Sequence, residues 1–406
     1  MFLDYSTAKN IVDKYGSPVY IYSEKVLRER CRDMLSAFKD LMRPSYSVKA
    51  NTNLTLMRII HEEGFFADAM SPGEIFMSEK AGFKDSDIFY IGNNVSREEM
   101  QYAVDRNILV SVDSLSQLEM YGQINPGSGV AIRFNPGYGF GAGHDEKVIT
   151  AGHETKFGVQ AELYTEIYPI LKKYNLRLVG INQHIGSLFL DPIPYVDAAR
   201  ALLDLILEHF PGLDFVDFGG GFGIPYMPDE HRLDFNELRT LLKPICEKFV
   251  EKYDNKNVHF KCEPGRYVSA ECCELVGTVH SIKDNYGSKY VGTDIGFNVL
   301  MRHVLYGSYH GMTVLGGGDP SNKSTNDDVI VVGNICESGD IIADKRNIGT
   351  VRIGDLIAVE NAGAYGFSMS SNYNCRLRPA EVLIKEDGTL ELIRRADTLE
   401  DLISHF

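Results

Sequence analysis

Short apolar runs and amphipathic runs alternate along most of the chain. Pro18 to Tyr22 predicts a strand, and Glu24 to Leu41, with Val26, Leu27, Met34, Leu35 and Phe38 on one side, predicts a helix. From there the alternation is regular. Strands are predicted at Ser45 to Val48, Phe65 to Ala69, Asp87 to Ile91, Ile108 to Val112, Val130 to Phe134, Arg177 to His184, Leu213 to Phe218 and Val258 to Cys262. Helices are predicted between them, near Leu54 to Glu63, Gly73 to Ala81, Arg97 to Asp105, Leu115 to Gln123, Ala161 to Tyr174, Ile193 to His209 and Phe235 to Glu251. Eight short apolar strands, the first seven each followed by a helix, are the pattern of a (β/α)8 barrel of the α/β class, the TIM-barrel architecture. A doubly wound open sheet is the competing topology. The run Gly219-Gly220-Gly221-Phe222-Gly223 follows the seventh strand rather than the first, so it is no dinucleotide fingerprint.

After about Cys273 the texture changes. Helical periodicity nearly vanishes and β-rich runs take over, among them Cys273 to Ile282, Tyr290 to Thr293, Val329 to Val332, Leu356 to Val359, Ala380 to Lys385 and Leu390 to Arg394. Only Leu399 to His405 looks helical. The expected organisation is a barrel over residues 24–270 and a C-terminal β-sheet or barrel domain over 271–406, which also takes residues 1–23 with their N-terminal strand. The glycine-rich stretch from Asn135 to Thr155 is predicted to be a long loop, and with Lys156-Phe157-Gly158 it is expected near the mouth of the barrel.

Composition narrows the function classes. With 406 residues, 44% of them hydrophobic, the chain can bury large cores, and no apolar run is long enough to cross a bilayer, so no membrane partner is expected. The opening Met1-Phe2-Leu3-Asp4-Tyr5-Ser6 lacks the basic start and apolar stretch of a signal peptide, which makes the cytoplasm the expected compartment. Seven cysteines with no Cys-x-x-Cys spacing indicate neither a disulfide framework nor a zinc site. A net charge of -15 argues against nucleic acid as a partner, while leaving room for local arginines to hold a small anion.

The chemistry is expected where barrels keep it, at the carboxyl ends of the strands. Lys49 follows the first strand, Asp68 to Glu74 the second, His184-Ile185-Gly186-Ser187 the sixth, Gly219-Gly220-Gly221 the seventh and Glu263-Pro264-Gly265-Arg266 the eighth. A lysine at a strand end is ordinarily a solvated surface group; at a barrel mouth, partly desolvated, it can form a Schiff base. Bare glycine N–H groups beside an arginine make a phosphate cradle. A lysine, a phosphate cradle and an acidic residue around one rim point to pyridoxal 5′-phosphate, with Lys49 on the aldehyde, His184 against a ring face and Glu263 facing the ring nitrogen.

These motifs resemble those of the barrel-type pyridoxal-phosphate decarboxylases, which share a barrel with alanine racemase, and within them the bacterial diaminopimelate decarboxylase family. The resemblance runs from Pro18-Val19-Tyr20-Ile21-Tyr22 to Ile393-Arg394-Arg395. It implies that Lys49 carries the cofactor, that His184 stacks on it, and that Glu263 pairs with the pyridine nitrogen. Asp68, Ser187, Gly220, Gly221, Gly265, Arg266 and Tyr365 complete the implied cofactor site. Cys336-Glu337-Ser338-Gly339-Asp340 matches a motif whose cysteine is a proton donor and whose acidic neighbour contacts substrate, both acting in the partner subunit's site; an obligate homodimer with shared sites is implied. Met301-Arg302-His303-Val304-Leu305-Tyr306-Gly307 matches a segment that grips a distal carboxylate, so Arg302, Tyr306, Arg266, Tyr365 and Glu337 are the implied substrate contacts. Two arginines suit a planar carboxylate. His303 departs from the pattern, which has proline there.

The expected reaction is therefore decarboxylation of meso-2,6-diaminopimelate to L-lysine. A decarboxylase of D-ornithine or D-lysine would share the cofactor residues without needing Arg302. A racemase is disfavoured because Cys336 and Glu337 replace the expected tyrosine base, and a cofactor-carrying barrel without catalysis would lack the second domain.

Overall fold

The computed structural model describes residues 1–137, 140–141, 151–152 and 155–406. It divides into two compact units, one made of Glu29–Pro225 and His231–Val268, the other of Met1–Arg28, Tyr226–Glu230 and Ser269–Phe406.

The first unit is a closed parallel barrel. Its strands are Met42–Ser47, Phe66–Ala69, Ile88–Ile91, Leu109–Val112, Gly129–Asn135, Arg177–Asn182, Phe215–Asp217 and His259–Cys262. Each pairs with the next, and the ring closes where Cys262 lies opposite Pro44. The (β/α)8 expectation holds, and the open-sheet alternative does not. The helices start on sequence-encoded caps: Ser71 accepts from the Glu74 N–H with Pro72 at the first position, and Ser96 and Glu99 form a reciprocal capping box. One boundary moved. The first strand begins at Met42, upstream of the prediction, with Pro44 accommodated beside the eighth strand; it ends at Ser47, and Lys49 stands in a 3-10 turn, Val48–Ala50.

The barrel interior is packed solid. Phe89, Ile91, Ala131, Val179 and Phe215 form a buried cluster, with the rings of Phe89 and Phe215 edge to face at 5.4 Å. Gly180 makes room for it, since a Cβ there would lie 2.1 Å from the Phe215 ring. Burying each phenyl contributes about 2–3 kcal/mol, so polar residues on these strands need a specific reason to be there.

In the second unit the N-terminal strand Val19–Ser23 is wholly buried, antiparallel to Cys273–Asn285 and parallel to Ala380–Ile384. Leu390–Arg394, Ser288–Thr293, Val329–Val332, Ile341–Arg346, Leu356–Val359 and Met312–Gly316 complete this mixed sheet. Helix Tyr5–Tyr15, which the sequence left as an opening segment, is capped by Asp4 and buries Ala8 and Ile11 against Val19, Ile21, Val276 and Val382. The short helix Arg302–Tyr306 also went unread, and the predicted C-terminal helix is a 3-10 turn at Glu400–Ile403. No helix among the described residues is long and apolar enough to cross a membrane.

Candidate active site

Polar side chains gather at the carboxyl ends of the barrel strands. Asp68 is fully buried, and its Oδ2 accepts from Ser47 Oγ at 2.7 Å, Ser47 being its register partner on the first strand. Burial raises the Asp68 pKa, opposed first by the positive charge of Lys49. Burial likewise carries Glu74 up to about 7, its Oε2 holding the Met70 N–H at 2.7 Å. Lys49 acts electrostatically on Asp68, Glu74, His184 and Glu263 alike, so the lysine and the acids after strands two and eight share one rim.

His184 is fixed by the glycine turn. The Gly220 N–H donates to His184 Nδ1 at 3.2 Å, which leaves the ring proton on Nε2. Burial, then Lys49 and Arg133, hold the His184 pKa well below its ordinary value, so the ring is neutral. Asp217 Oδ1 accepts from the Gly219 N–H at 2.9 Å and starts the turn. Gly220 presses on the next strand end: a Cβ there would lie 1.9 Å from the Glu263 carbonyl oxygen. Gly220→Ala should therefore cost about 2–4 kcal/mol of stability and displace His184. Urea denaturation checks the first effect; an unchanged midpoint would refute the close approach. Beside the turn, Arg266 Nη2 donates to Ser187 Oγ at 3.1 Å, which joins the arginine after strand eight to the serine after strand six.

Glu263 is 5% exposed, and its Oε1 has no hydrogen-bond partner among the described residues. Burial, then Asp217 and Asp68, push its pKa well above the carboxylate range, while Lys49 and Arg133 pull it back. A buried carboxyl oxygen without a partner is costly, and a cationic or N–H-bearing ring presented to it would remove that cost.

Several residues of this cluster escaped the sequence reading. Arg133, Asn182, Asp217 and Lys261 are successive register partners across strands five to eight. Lys261 Nζ lies 4.1 Å from the Phe215 ring centre and 4.9 Å from that of Phe89. The signal was present in each case as a polar residue in a short, largely apolar strand. Asn135 is the hub of the loop after strand five: its side chain accepts from the Gly137 and Gly152 N–H groups and donates to the Gly152 and Phe157 carbonyls at 3.0 Å. Phe157 covers the Arg133 guanidinium at 4.6 Å. Most of the predicted loop, residues 138–139, 142–150 and 153–154, lies outside the described residues.

The remaining predicted site residues belong to the second unit. Cys336 and Glu337 are exposed, on a turn built by Asp340, whose carboxylate accepts from the Ile335 and Phe297 N–H groups, both at 2.7 Å. The Cys336 N–H donates to Asn374 Oδ1 at 2.7 Å. Tyr365 has φ +57, an uncommon conformation for a residue with a side chain. Arg302 is 2% exposed at the start of Arg302–Tyr306; its guanidinium covers the Tyr226 ring at 4.7 Å and meets His310 Nε2 at 2.9 Å. His303 is partly buried, with neither ring nitrogen hydrogen-bonded among the described residues, and burial lowers its pKa to about 4.

The barrel, the lysine on its rim and the glycine turn define a class. Residues 24–270 match the family described as pyridoxal-dependent decarboxylase, pyridoxal binding domain, and the chain belongs to that family of pyridoxal-phosphate enzymes. Within it the chain falls in the diaminopimelate decarboxylase family. It is 41% identical to the diaminopimelate decarboxylase of Methanothermobacter thermautotrophicus, over 98% of this chain and 93% of that one, and 31% identical to that of Escherichia coli K12, over 98% and 96%. The solved diaminopimelate decarboxylase of Helicobacter pylori, complexed with L-lysine, superposes with a TM-score of 0.88 at 29% identity, covering 98% of both chains. That of M. jannaschii, also with L-lysine, gives 0.88 at 30%, covering 98% of this chain and 93% of that one.

Proposed function

We propose that this enzyme removes carbon dioxide from meso-2,6-diaminopimelate to give L-lysine, working in the cytoplasm as a homodimer with shared sites. The observation that carries the substrate is Arg302: a guanidinium buried in a protein interior, set on an aromatic face and a neutral ring nitrogen, suits a second, distal carboxylate. Its relatives' names support the same reading.

The barrel residues fit pyridoxal 5′-phosphate. Glu263 Oε1 answers to a ring N–H, and the turn around Gly220 and Gly221 has no room for a Cβ. When bound, this cofactor supplies an electron sink for the pair left behind as the carboxylate departs. Lys49 provides the amine that tethers it, and Asp68 balances the lysine charge. Ser187, Gly220, Gly221, Gly265, Arg266 and Tyr365 take the phosphate. Neutral His184 offers a flat ring face, and Glu263 keeps a proton at the pyridine nitrogen. Arg302, Tyr306, Arg266 and Tyr365 are the proposed substrate contacts, the two arginines for its distal carboxylate. The partner subunit's Cys336 gives a proton to the reacting carbon, a transfer to which a thiol is suited near neutral pH, and the partner subunit's Glu337 receives the distal ammonium.

Carbon dioxide release from purified protein supplied with pyridoxal phosphate tests the substrate. Meso-diaminopimelate, D-lysine, L-lysine and L-ornithine are compared side by side. Release confined to meso-diaminopimelate is expected; equal release from D-lysine would remove the role given to Arg302.

A further inference from the structure

Building on the assignment of Arg302 to the distal carboxylate, we infer that His310 is the positioning residue that sets the plane of the Arg302 guanidinium and so selects for a two-carboxylate substrate. The hydrogen bonds around His310 admit one arrangement. Its Nδ1 lies 2.7 Å from the backbone carbonyl of Glu360, which can only accept, so Nδ1 carries the proton. Its Nε2 lies 2.9 Å from Arg302 Nη1, which can only donate, so Nε2 presents its lone pair. The imidazole is thus neutral, with both nitrogens used.

His310 is itself rigid. It is 1% exposed, its carbonyl accepts from Arg346 Nη1 at 2.6 Å, and the Glu360 N–H donates to Gly311 at 2.9 Å, stitching both neighbours into the start of the pairing between Met312–Gly316 and Leu356–Val359. Tyr226 packs edge-on to the His310 ring at 5.4 Å and lies under the Arg302 guanidinium at 4.7 Å. One edge and one face of the guanidinium are therefore fixed by neutral groups. A carboxylate in place of the imidazole would orient Arg302 equally well but neutralise it and compete with the substrate. An imidazole orients the cation without adding an opposing charge of its own.

The test uses the holoenzyme and two ligands that share a reacting centre: meso-diaminopimelate as substrate and D-lysine, which lacks the distal carboxylate, as competitive inhibitor. His310→Phe keeps a ring against Tyr226 and removes the acceptor. It should raise the KM for meso-diaminopimelate roughly tenfold or more, with kcat and the D-lysine inhibition constant within about threefold of wild type and the cofactor absorbance unchanged. His310→Gln, which can accept from Arg302 and donate to the Glu360 carbonyl, should restore most of the KM. If His310→Phe does not fold, His310→Asn, too short to reach Arg302, carries the same expectation. An unchanged KM, or equal weakening of both ligands, would overturn the inference. Arg302→Met separates the two ideas. If it too spares the KM, the reading of Arg302 has failed; if it raises the KM while the His310 variants do not, only the positioning role has failed.

Discussion

Replacing Lys49 with alanine should leave a folded barrel and, on the proposal that its amine tethers the cofactor, reduce carbon dioxide release roughly 10⁴-fold or more, because a well-oriented intramolecular partner is worth effective molarities on the order of 10⁵ M. The side chain stands in the turn after the first strand, where its charge lowers the pKa values of Asp68, Glu74 and Glu263 and, with burial, depresses that of His184. Removing that charge takes away a cation that opposes the effect of burial on Asp68, Glu74 and Glu263, so these carboxyls should take up protons at higher pH than in the parent protein. Two measurements check this. The visible absorbance of lysine-bound cofactor should disappear, and turnover should not return on adding excess pyridoxal phosphate. Retained absorbance would move the tether to another lysine, for which Lys261, over the Phe89 and Phe215 rings, is a candidate.

Cys336→Ala should lower turnover about 10²- to 10⁴-fold, the span over which a positioned proton donor contributes, and leave the cofactor absorbance intact. Cys336 is exposed, and Asp340 and Asn374 hold only the backbone around it, so the substitution removes a thiol without emptying a core. A mixture of the two variants tests the sharing of sites. If the donor acts across the dimer, a Lys49→Ala subunit paired with a Cys336→Ala subunit carries one complete site, and random pairing restores roughly a quarter of wild-type activity. No recovery with confirmed exchange of subunits would place the donor in its own chain's site.

Much of the barrel was legible in the sequence because helix and strand differ in period and the eight strands are short and apolar. Strand ends tell which side of the barrel a residue joins, so the sequence alone gathers Lys49, Asp68, His184 and Glu263 onto one rim, and the structure does bring them together. Arg133, Asp217 and Lys261 were passed over. Each stands in a short, largely apolar run, and a polar residue there reads as noise until its register partners on neighbouring strands prove polar too. Met42 and Pro44 extend the first strand beyond its predicted start: proline disfavours a strand by propensity, and the pairing with the eighth strand is what gives it a place there.

The sequence by itself determined the alternation that closes the barrel, the lysine, histidine and glutamate at the strand ends, and the change of texture near Cys273, all of which follow from local periodicity and side-chain chemistry. Tertiary structure decided what depends on partners far apart in the chain. The strand Val19–Ser23 is inserted between Cys273–Asn285 and Ala380–Ile384, more than 200 residues away, because a wholly buried strand needs hydrogen-bond partners for the N–H and C=O groups along both of its edges. Gly220 is indispensable only because the Glu263 carbonyl lies against it, and His310 acquires a role only because folding sets its ring between Arg302 and the Glu360 carbonyl. Contacts of that kind have no local signature; they exist once the chain has closed on itself.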